Sequence, residues 1–493
     1  MAEPLIFEKS RAGRRGYILP AGDVPSSAVA LPDRFRRSRP PKLPEVSEID
    51  VVRHFVRLSR ANYGIDVGFY PLGSCSMKYN PKINEELARA LEWTGLHPLQ
   101  PVGHIQGALR LMAELERALC AISGMARAAL QPAAGAQGEL AGLLIVRAYH
   151  RAKQLAARQS ARAAAATERT VVLIPDSAHG TNPASATLAG YEVEVIKSTA
   201  EGLVDLDDLG RKATDRCAAM MLTQPNTLGL FERDILEIAR IIHGAGGLMY
   251  MDGANLNALL GLARPGDMGF DVVHINLHKT FATPHGGGGP GAGPVAVTAE
   301  LAPYLPGPLV EEQDGRFALT NGGPSSIGRL HAFYGNFGIL LRAAAYMRTL
   351  GAEGMAAVSR TAILNANYVR CRLASHYQVA YDRICMHEVV LSAKRQKARD
   401  VHAWDIAKRL IDFGIYPPTV NFPLVVDEAI MIEPVETESK ETLDRFCEAM
   451  IAIADEAEKE PEKVQRAPHT TELGRLDEVL AARKPNLRWV PSP

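Results

Sequence analysis

The sequence predicts an α/β fold: a mainly parallel sheet covered by helices on both faces, followed by a smaller α+β unit. Three observations carry that reading. Short apolar runs at 170–174, 191–196, 218–222, 248–252 and 272–277 are interleaved with helix-forming stretches at 183–190 and 235–245, the βαβ pattern of a parallel sheet. Successive runs end in polar residues, namely His179, then Thr223 and Asn226, then Asp252, then Lys279. Open α/β sheets bind ligands at those carboxyl ends. Beyond residue 345 the alternation stops, and isolated strand and helix patterns replace it. We therefore divide the chain into an arm with a substrate-side loop (1–95), a large domain (96–345) and a small α+β domain with a tail (346–493).

Residues 1–45 are rich in Arg and Pro, lack periodicity and read as an extended arm. Ser47 suits an N-cap for a helix to residue 61, with Ile49, Val52, Phe55, Val56 and Leu58 on its apolar face. Residues 63–87 mix aromatics, glycines and serines without a period, which reads as a functional loop, with Tyr70, Ser74, Cys75, Ser76 and Lys78 as candidates for touching substrate. An amphipathic helix is expected over 103–122. A turn of small residues, 133–138, then opens a long helix whose first amides suit a phosphate. After the strand-end motifs, an antiparallel strand is expected over 293–297. A polar turn follows at 320–323, and a helix over 325–335. Further on we expect a helix over 346–374, interrupted near Gly351 and Gly354, and a strand at 387–393. A helix at 401–413, a strand in VVDEAIMIEP, a helix at 442–458 and a charged, Pro-rich tail complete the chain.

The 55 basic and 55 acidic residues cancel, so bulk charge offers nothing to nucleic acid. Six cysteines, at 75, 120, 217, 371, 385 and 447, form no CxxC, and we expect reduced thiols and no metal site. The N-terminus lacks a signal-length apolar core, and no run approaches the ~18 apolar residues of a membrane span. The expectation is a cytoplasmic protein.

The chemistry centres on DVVHINLHKTFATPHGGGGPGAGP, residues 271–294. A partly desolvated lysine such as Lys279 can lose its proton near neutral pH and attack a carbonyl. Gly286 to Gly289 would let the backbone turn tightly or approach a ligand. Upstream, the run 248–252 ends in Asp252. A lysine for an aldehyde and a carboxylate for a pyridine nitrogen are the pair pyridoxal 5'-phosphate needs. His179, at another strand end, offers a flat ring. A phosphate-binding module built on the glycine run fails, because that run follows a lysine and does not precede a GK[ST].

With the motifs located, the chain resembles the P-protein family of the glycine cleavage system, glycine dehydrogenase (decarboxylating), in the C-terminal subunit of its split form. The matching pieces are YPLGSCSMKYNP, QPAAGAQGELAGL, DSAHGTNPASA, MDGANLNA, INLHKTFATPHGGGGPG and TNGGPSSIGRLHAFYGN, spanning residues 70 to 336. The resemblance implies the aspartate-aminotransferase-type fold with a seven-stranded sheet. It implies Lys279 as the cofactor lysine, Asp252 on the ring nitrogen and His179 stacked on the ring. The turn Ala134, Gly135, Ala136, Gln137 would hold the phosphate, with Thr223, Asn226, Asn255 and His278 as further contacts and Thr320 reaching a neighbouring subunit's site. Where Gln137 stands, split-type members are expected to carry His, while the single-chain form carries Gln. The implied reaction releases carbon dioxide from glycine and passes the aminomethyl carbon to the lipoyl arm of the H-protein. The implied partners are a separate subunit 1 in an α2β2 assembly, with T-protein and L-protein completing the system. His278, His285 and Lys279 are candidates for proton handling, and Arg329 or the 63–80 loop for the substrate carboxylate. The rivals are another pyridoxal enzyme, including a desulfurase using Cys75, and a subunit that has lost catalysis, against which the Lys279 and Asp252 pair argues.

Overall fold

The computed structural model describes residues 3–25, 31–159, 167–286 and 291–490. Seven strands form the main sheet: β1 (Arg127–Ala129), β2 (Val171–Pro175), β3 (Glu192–Ile196), β4 (Cys217–Thr223), β5 (Leu248–Gly253), β6 (Val272–Ile275) and β7 (Val295–Val297). Their order is β1-β7-β6-β5-β4-β2-β3. Strands β2 to β6 run parallel, and β7 is antiparallel to both its neighbours. The expected mainly parallel sheet and its antiparallel last strand are both present.

Apart from Thr223, Asp252 and His274 at the carboxyl edge, the central strands β4, β5 and β6 are apolar, because both faces are covered. Met249 and Met251 of β5, with Leu173 of β2 and Met220 of β4, enter one core cluster. Their neighbours Tyr250, Val172, Ile174 and Met221 enter the cluster on the opposite face. Alternation of period two is thus hidden in the sequence, yet it sorts the side chains between two cores. Each fully buried Leu, Met or Ile contributes roughly 1.5–3 kcal/mol of transfer free energy.

The helix Gly135–Gln159 lies against this sheet on a line of glycines. A Cβ at Gly138 would sit 2.5 Å from Gly293 O, and one at Gly142 would sit 2.3 Å from the Tyr250 ring. Glycine costs a helix about 1 kcal/mol per residue relative to alanine. Here that cost is offset by close approach, which brings the first turn of the helix to the carboxyl edge of β5 and β6.

A hairpin, β8 (Leu309–Gln313) with β9 (Arg316–Thr320), follows the main sheet. The expected helix over 325–335 is not formed. Residues 325–335 are irregular, with Gly328 and Gly335 at φ of 84° and 95°, and the helix begins only at Phe337. A Cβ at Gly335 would lie 2.7 Å from Leu130 O, so close packing and a left-handed turn hold this segment open. The helix Phe337–Leu373 is broken at Gly351, as expected, and the expected boundary at residue 345 lies inside it.

A second sheet of four antiparallel strands follows: β10 (Gln378–Val379), β11 (Val389–Ser392), β12 (Thr419–Val420) and β13 (Ala429–Ile432), in the order β10-β11-β13-β12. The helices Ala403–Asp412 and Lys440–Lys459 cover it, with Ile406, Leu410, Phe446 and Met450 buried against Leu391 and Ile430.

The chain divides into two compact units, Phe69–Arg466, which holds both sheets, and Met1–Gly68 with Ala467–Pro493. In the latter, Ser47 caps the helix Glu48–Ala61 by accepting from the Asp50 amide. Ile49, Val52, Phe55 and Val56 of that helix are exposed. The expected tail is tied to the arm, with Trp489 stacked on Phe7 at 5.0 Å between ring centroids.

Candidate active site

The register of the main sheet sets three residues side by side at its carboxyl edge: Thr223 pairs with Asp252, and Asp252 with His274. Thr223 and Asp252 border a cavity of about 220 Å³ that is also lined by Gly135, Ala136, His179, Asn255, Asn276, His278 and Lys279, while His274 lies behind Asp252. Strand ends distant in sequence are therefore brought together, as the predicted topology requires.

Asp252 is buried and accepts from Asn182 Nδ2 at 2.8 Å and from the Ala254 amide at 3.0 Å. Behind it, His274 Nε2 lies 3.1 Å from Asp252 Oδ1, an ion-pair distance off the hydrogen-bond direction. Burial alone would raise the Asp252 carboxyl, but the His274 charge and these donors outweigh it and hold the group well below the usual carboxylate range. Burial likewise pushes the His274 imidazole down, and the Asp252 charge outweighs that and raises it. The Tyr250 hydroxyl lies 3.2 Å from His274 Nδ1 and 3.3 Å from the Gly138 and Glu139 carbonyls. A tyrosine that donates to a carbonyl and accepts from Nδ1 completes an imidazolium. The sequence reading missed His274, although the alternation of β6 could have aimed it back toward Asp252.

Lys279 stands not on the strand but in the helical turn Leu277–Thr280 that follows it. Its Nζ donates to Ser74 O at 2.9 Å. His278, next to it, accepts from the Ala292 amide at Nδ1, 3.3 Å away, so the neutral ring carries its proton on Nε2. Burial first, then the charges of His285 and Lys279, push His278 down to about 4. Of the motif's glycine run, Gly286 has φ of 73°, and 287–289 lie outside the described residues.

His179 follows β2 on the cavity wall, its Nδ1 2.8 Å from Thr181 Oγ1, its ring edge-on to Phe422 at 5.5 Å. Gly135 and Ala136 line the cavity from the first turn of their helix, where backbone N–H groups have no intrahelical acceptor. A Cβ at Gly135 would strike the Asn276 amide at 2.5 Å. Gln137 turns back to accept from the Ala133 amide at 2.6 Å, and Ala134 packs against Gly293, so these two support the turn without lining the cavity. Asn255 lines it and donates to Glu433 at 2.8 Å.

Asn226, expected at the cavity, is elsewhere. Asn226 is consumed by its own loop, donating to Gly202 O and accepting from the Leu228 and Leu230 amides, and Thr227 takes its place at the cavity. Thr320, expected at a neighbouring subunit's site and not at this one, ends β9 with its hydroxyl 3.4 Å from Glu311 across the hairpin. Among the other candidates, Lys78 is buried in an ion pair with Glu436 at 2.8 Å, and Arg329 is exposed and donates to Asn321.

The cavity's chemistry can be tested against pyridoxal 5'-phosphate. Thr223 Oγ1, Asn276 Oδ1 and His387 Nδ1 are buried on its wall without a protein partner among the described residues. Buried polar atoms left open in this way call for a polar ligand. With a charged Asp252, an amine and a helix N-terminus in the same cavity, the residues fit the cofactor.

Architecture and site together define the aspartate-aminotransferase-type fold class. Among solved structures, the chain is similar to a glycine decarboxylase (P-protein) of the glycine cleavage system in inhibitor-bound form, with TM-score 0.71, 21% identity, and coverage of 86% of this chain and 93% of that one. It is also similar to an aspartate aminotransferase from Thermus thermophilus, with TM-score 0.54, 14% identity, and coverage of 78% and 99%. Residues 26–320 match the family described as glycine cleavage system P-protein, and residues 358–472 match the glycine dehydrogenase C-terminal domain. Relatives called probable glycine dehydrogenase (decarboxylating) subunit 2 are 56% identical in Caldanaerobacter subterraneus, over 98% of both chains, and 58% identical in Halalkalibacterium halodurans, over 99% and 98%. The chain belongs to the P-protein family of the glycine cleavage system. Among the described residues, no helix is long and apolar enough to cross a membrane.

Proposed function

We propose that this chain is the pyridoxal-phosphate-bearing subunit of a two-subunit glycine decarboxylase, working with a separate subunit 1 and passing the aminomethyl group to the lipoyl arm of an H-protein. The observation that carries it is the meeting of Asp252, Lys279 and the helix N-terminus at Gly135 in one small cavity of a P-protein-family chain. The bound cofactor supplies an electron sink for the pair left behind when the substrate carboxylate departs as carbon dioxide. Lys279 would provide the amine for the cofactor aldehyde. Asp252, kept ionised by His274, would hold the proton on the ring nitrogen. Gly135 and Ala136 would present amides to the phosphate, and Thr223 and Asn276 offer polar atoms with no other partner among the described residues. His179 contributes a flat ring to the wall. His278 is neutral with its proton on Nε2, which makes it a donor and not a base.

The test is the absorbance spectrum of the purified chain with added pyridoxal phosphate, followed by borohydride reduction and peptide mapping. A visible band that reduction fixes on Lys279 is expected. Adding subunit 1, lipoylated H-protein and labelled glycine should then release labelled carbon dioxide. A band that never forms, even with subunit 1 present, overturns the reading in favour of a silent subunit.

A further inference from the structure

The cavity is lined by two further acids that the scheme above does not use: Glu139, which accepts from Thr181, Asn182 and Ser185, and Glu388. Glu388 immediately precedes β11 and Glu433 immediately follows β13. Because Val389 pairs with Ile432 in the antiparallel ladder, the two glutamates face each other one step beyond it. Both are buried, at 3% and 0% exposure, and they lie with His387 in a group whose polar atoms fall within 4.8 Å of one another. Two carboxylates so close in a dry site cannot both ionise. The hydrogen bonds decide which one does. Glu433 accepts from the Ser76 amide, the Ser76 hydroxyl and Asn255 Nδ2, the donor set of a carboxylate. Among the described residues Glu388 accepts only from the Ser74 amide, at 2.9 Å, and it lines the cavity with Lys279. Burial first, then the Glu433 charge, push it well above the usual carboxyl range.

The loop between the acids is built for this arrangement. Ser74 and Ser76 adopt φ of 65° and 47°, a left-handed backbone unusual for serine. That conformation aims one amide at each acid, and Ser74 O at Lys279. The groups around Glu388 are Glu433, His387, Lys279 and Cys75, with His285 near Glu433 and with Glu139, Asp252, His179 and His278 on the cavity wall.

We propose, resting on the decarboxylase reading, that Glu388 is a further catalytic residue, a neutral carboxylic acid that gives its proton to the leaving sulfur of the carrier disulfide. In that step the S–S bond breaks and the aminomethyl carbon bonds one sulfur. The released electron pair goes to the other sulfur, which takes the Glu388 proton and becomes a thiol. The proton that glycine's ammonium group sheds during turnover restores Glu388, so none is gained or lost overall.

The test uses the complete two-subunit enzyme with lipoylated H-protein. Glu388→Gln should lower kcat by about a hundredfold, the usual scale of general-acid catalysis. It should leave the KM for glycine and the visible band of the Lys279-bound cofactor unchanged, and it should abolish the fall of kcat at high pH. Glu433→Gln removes the neighbouring charge that keeps Glu388 protonated, so the high-pH fall should move to lower pH. An unchanged kcat in Glu388→Gln, a retained high-pH limb, or loss of the cofactor band in that variant each overturns the proposal. Absence of glycine-dependent carbon dioxide release in the unaltered enzyme would instead sink the reading it rests on.

Discussion

Two carboxyl groups reach the same cavity from different sheets and are held in opposite states. Asp252, at the carboxyl edge of the parallel sheet, backs onto a buried histidine and stays ionised. Glu388, at the edge of the small antiparallel sheet, backs onto another carboxylate and stays protonated. Both are fully desolvated, so burial does not distinguish them. The sign of the neighbouring charge does, and each sheet's register supplies that neighbour. Parallel pairing sets His274 beside Asp252, and antiparallel pairing sets Glu433 opposite Glu388.

The contrast can be broken or sharpened experimentally. Lys279→Ala removes the amine both acids serve, and turnover of glycine should fall by on the order of a thousandfold or more, with loss of the visible band. Asp252→Asn strands the His274 cation, which should cost about 3–5 kcal/mol of folding stability, measured by urea unfolding, besides activity. The pH dependence of that cost follows from the two shifts. His274 is raised, so its share is complete below its ordinary value of about 6.5 and is lost as pH rises through the raised value. Asp252 is lowered, so its share is present above about 3.9 and is lost as pH falls through the lowered value. The gap between unaltered chain and variant should therefore be widest between about pH 4 and 6.5 and close on the alkaline side. Asn226→Ala should cost about 1–3 kcal/mol through its lost loop hydrogen bonds while leaving the cofactor band in place; a lost band would return Asn226 to the site. The smallest effect belongs to His278. Held down to about 4, it should stay neutral in ring-nitrogen NMR from about pH 6 to 9, and a titration in that range would contradict the geometry at Ala292.

Much of the parallel sheet was legible because burial on both faces makes its strands uniformly apolar, and because polar residues gather where each strand stops. That rule finds the loop but not the direction of each side chain. It therefore selected Asn226, whose amide turns into its own loop, over Thr227, whose neighbourhood forms the wall. The helix expected over 325–335 failed because glycine dihedrals and the contact at Leu130 outweigh an unremarkable helical composition. Glu388 and Glu433 stayed hidden for a different reason. Their partnership joins positions 45 residues apart through a ladder that no local pattern displays. The turn expected over 133–138 does lead into the long helix, but the helix begins earlier, at Gly135, and of Ala134 to Gln137 only the middle pair lines the cavity.

The loop at Ser74 and Ser76 is a common mount. One backbone segment grips both glutamates and the lysine amine, so displacing it displaces all three at once. Energies measured at these positions should then fail to add: the double variant Ser76→Ala with Glu388→Gln should show an interaction energy of about 0.5–3 kcal/mol in a double-mutant cycle, where independent sites would show nearly none. Mechanical sharing of this kind makes the cavity a single cooperative object, whose parts fail as a set.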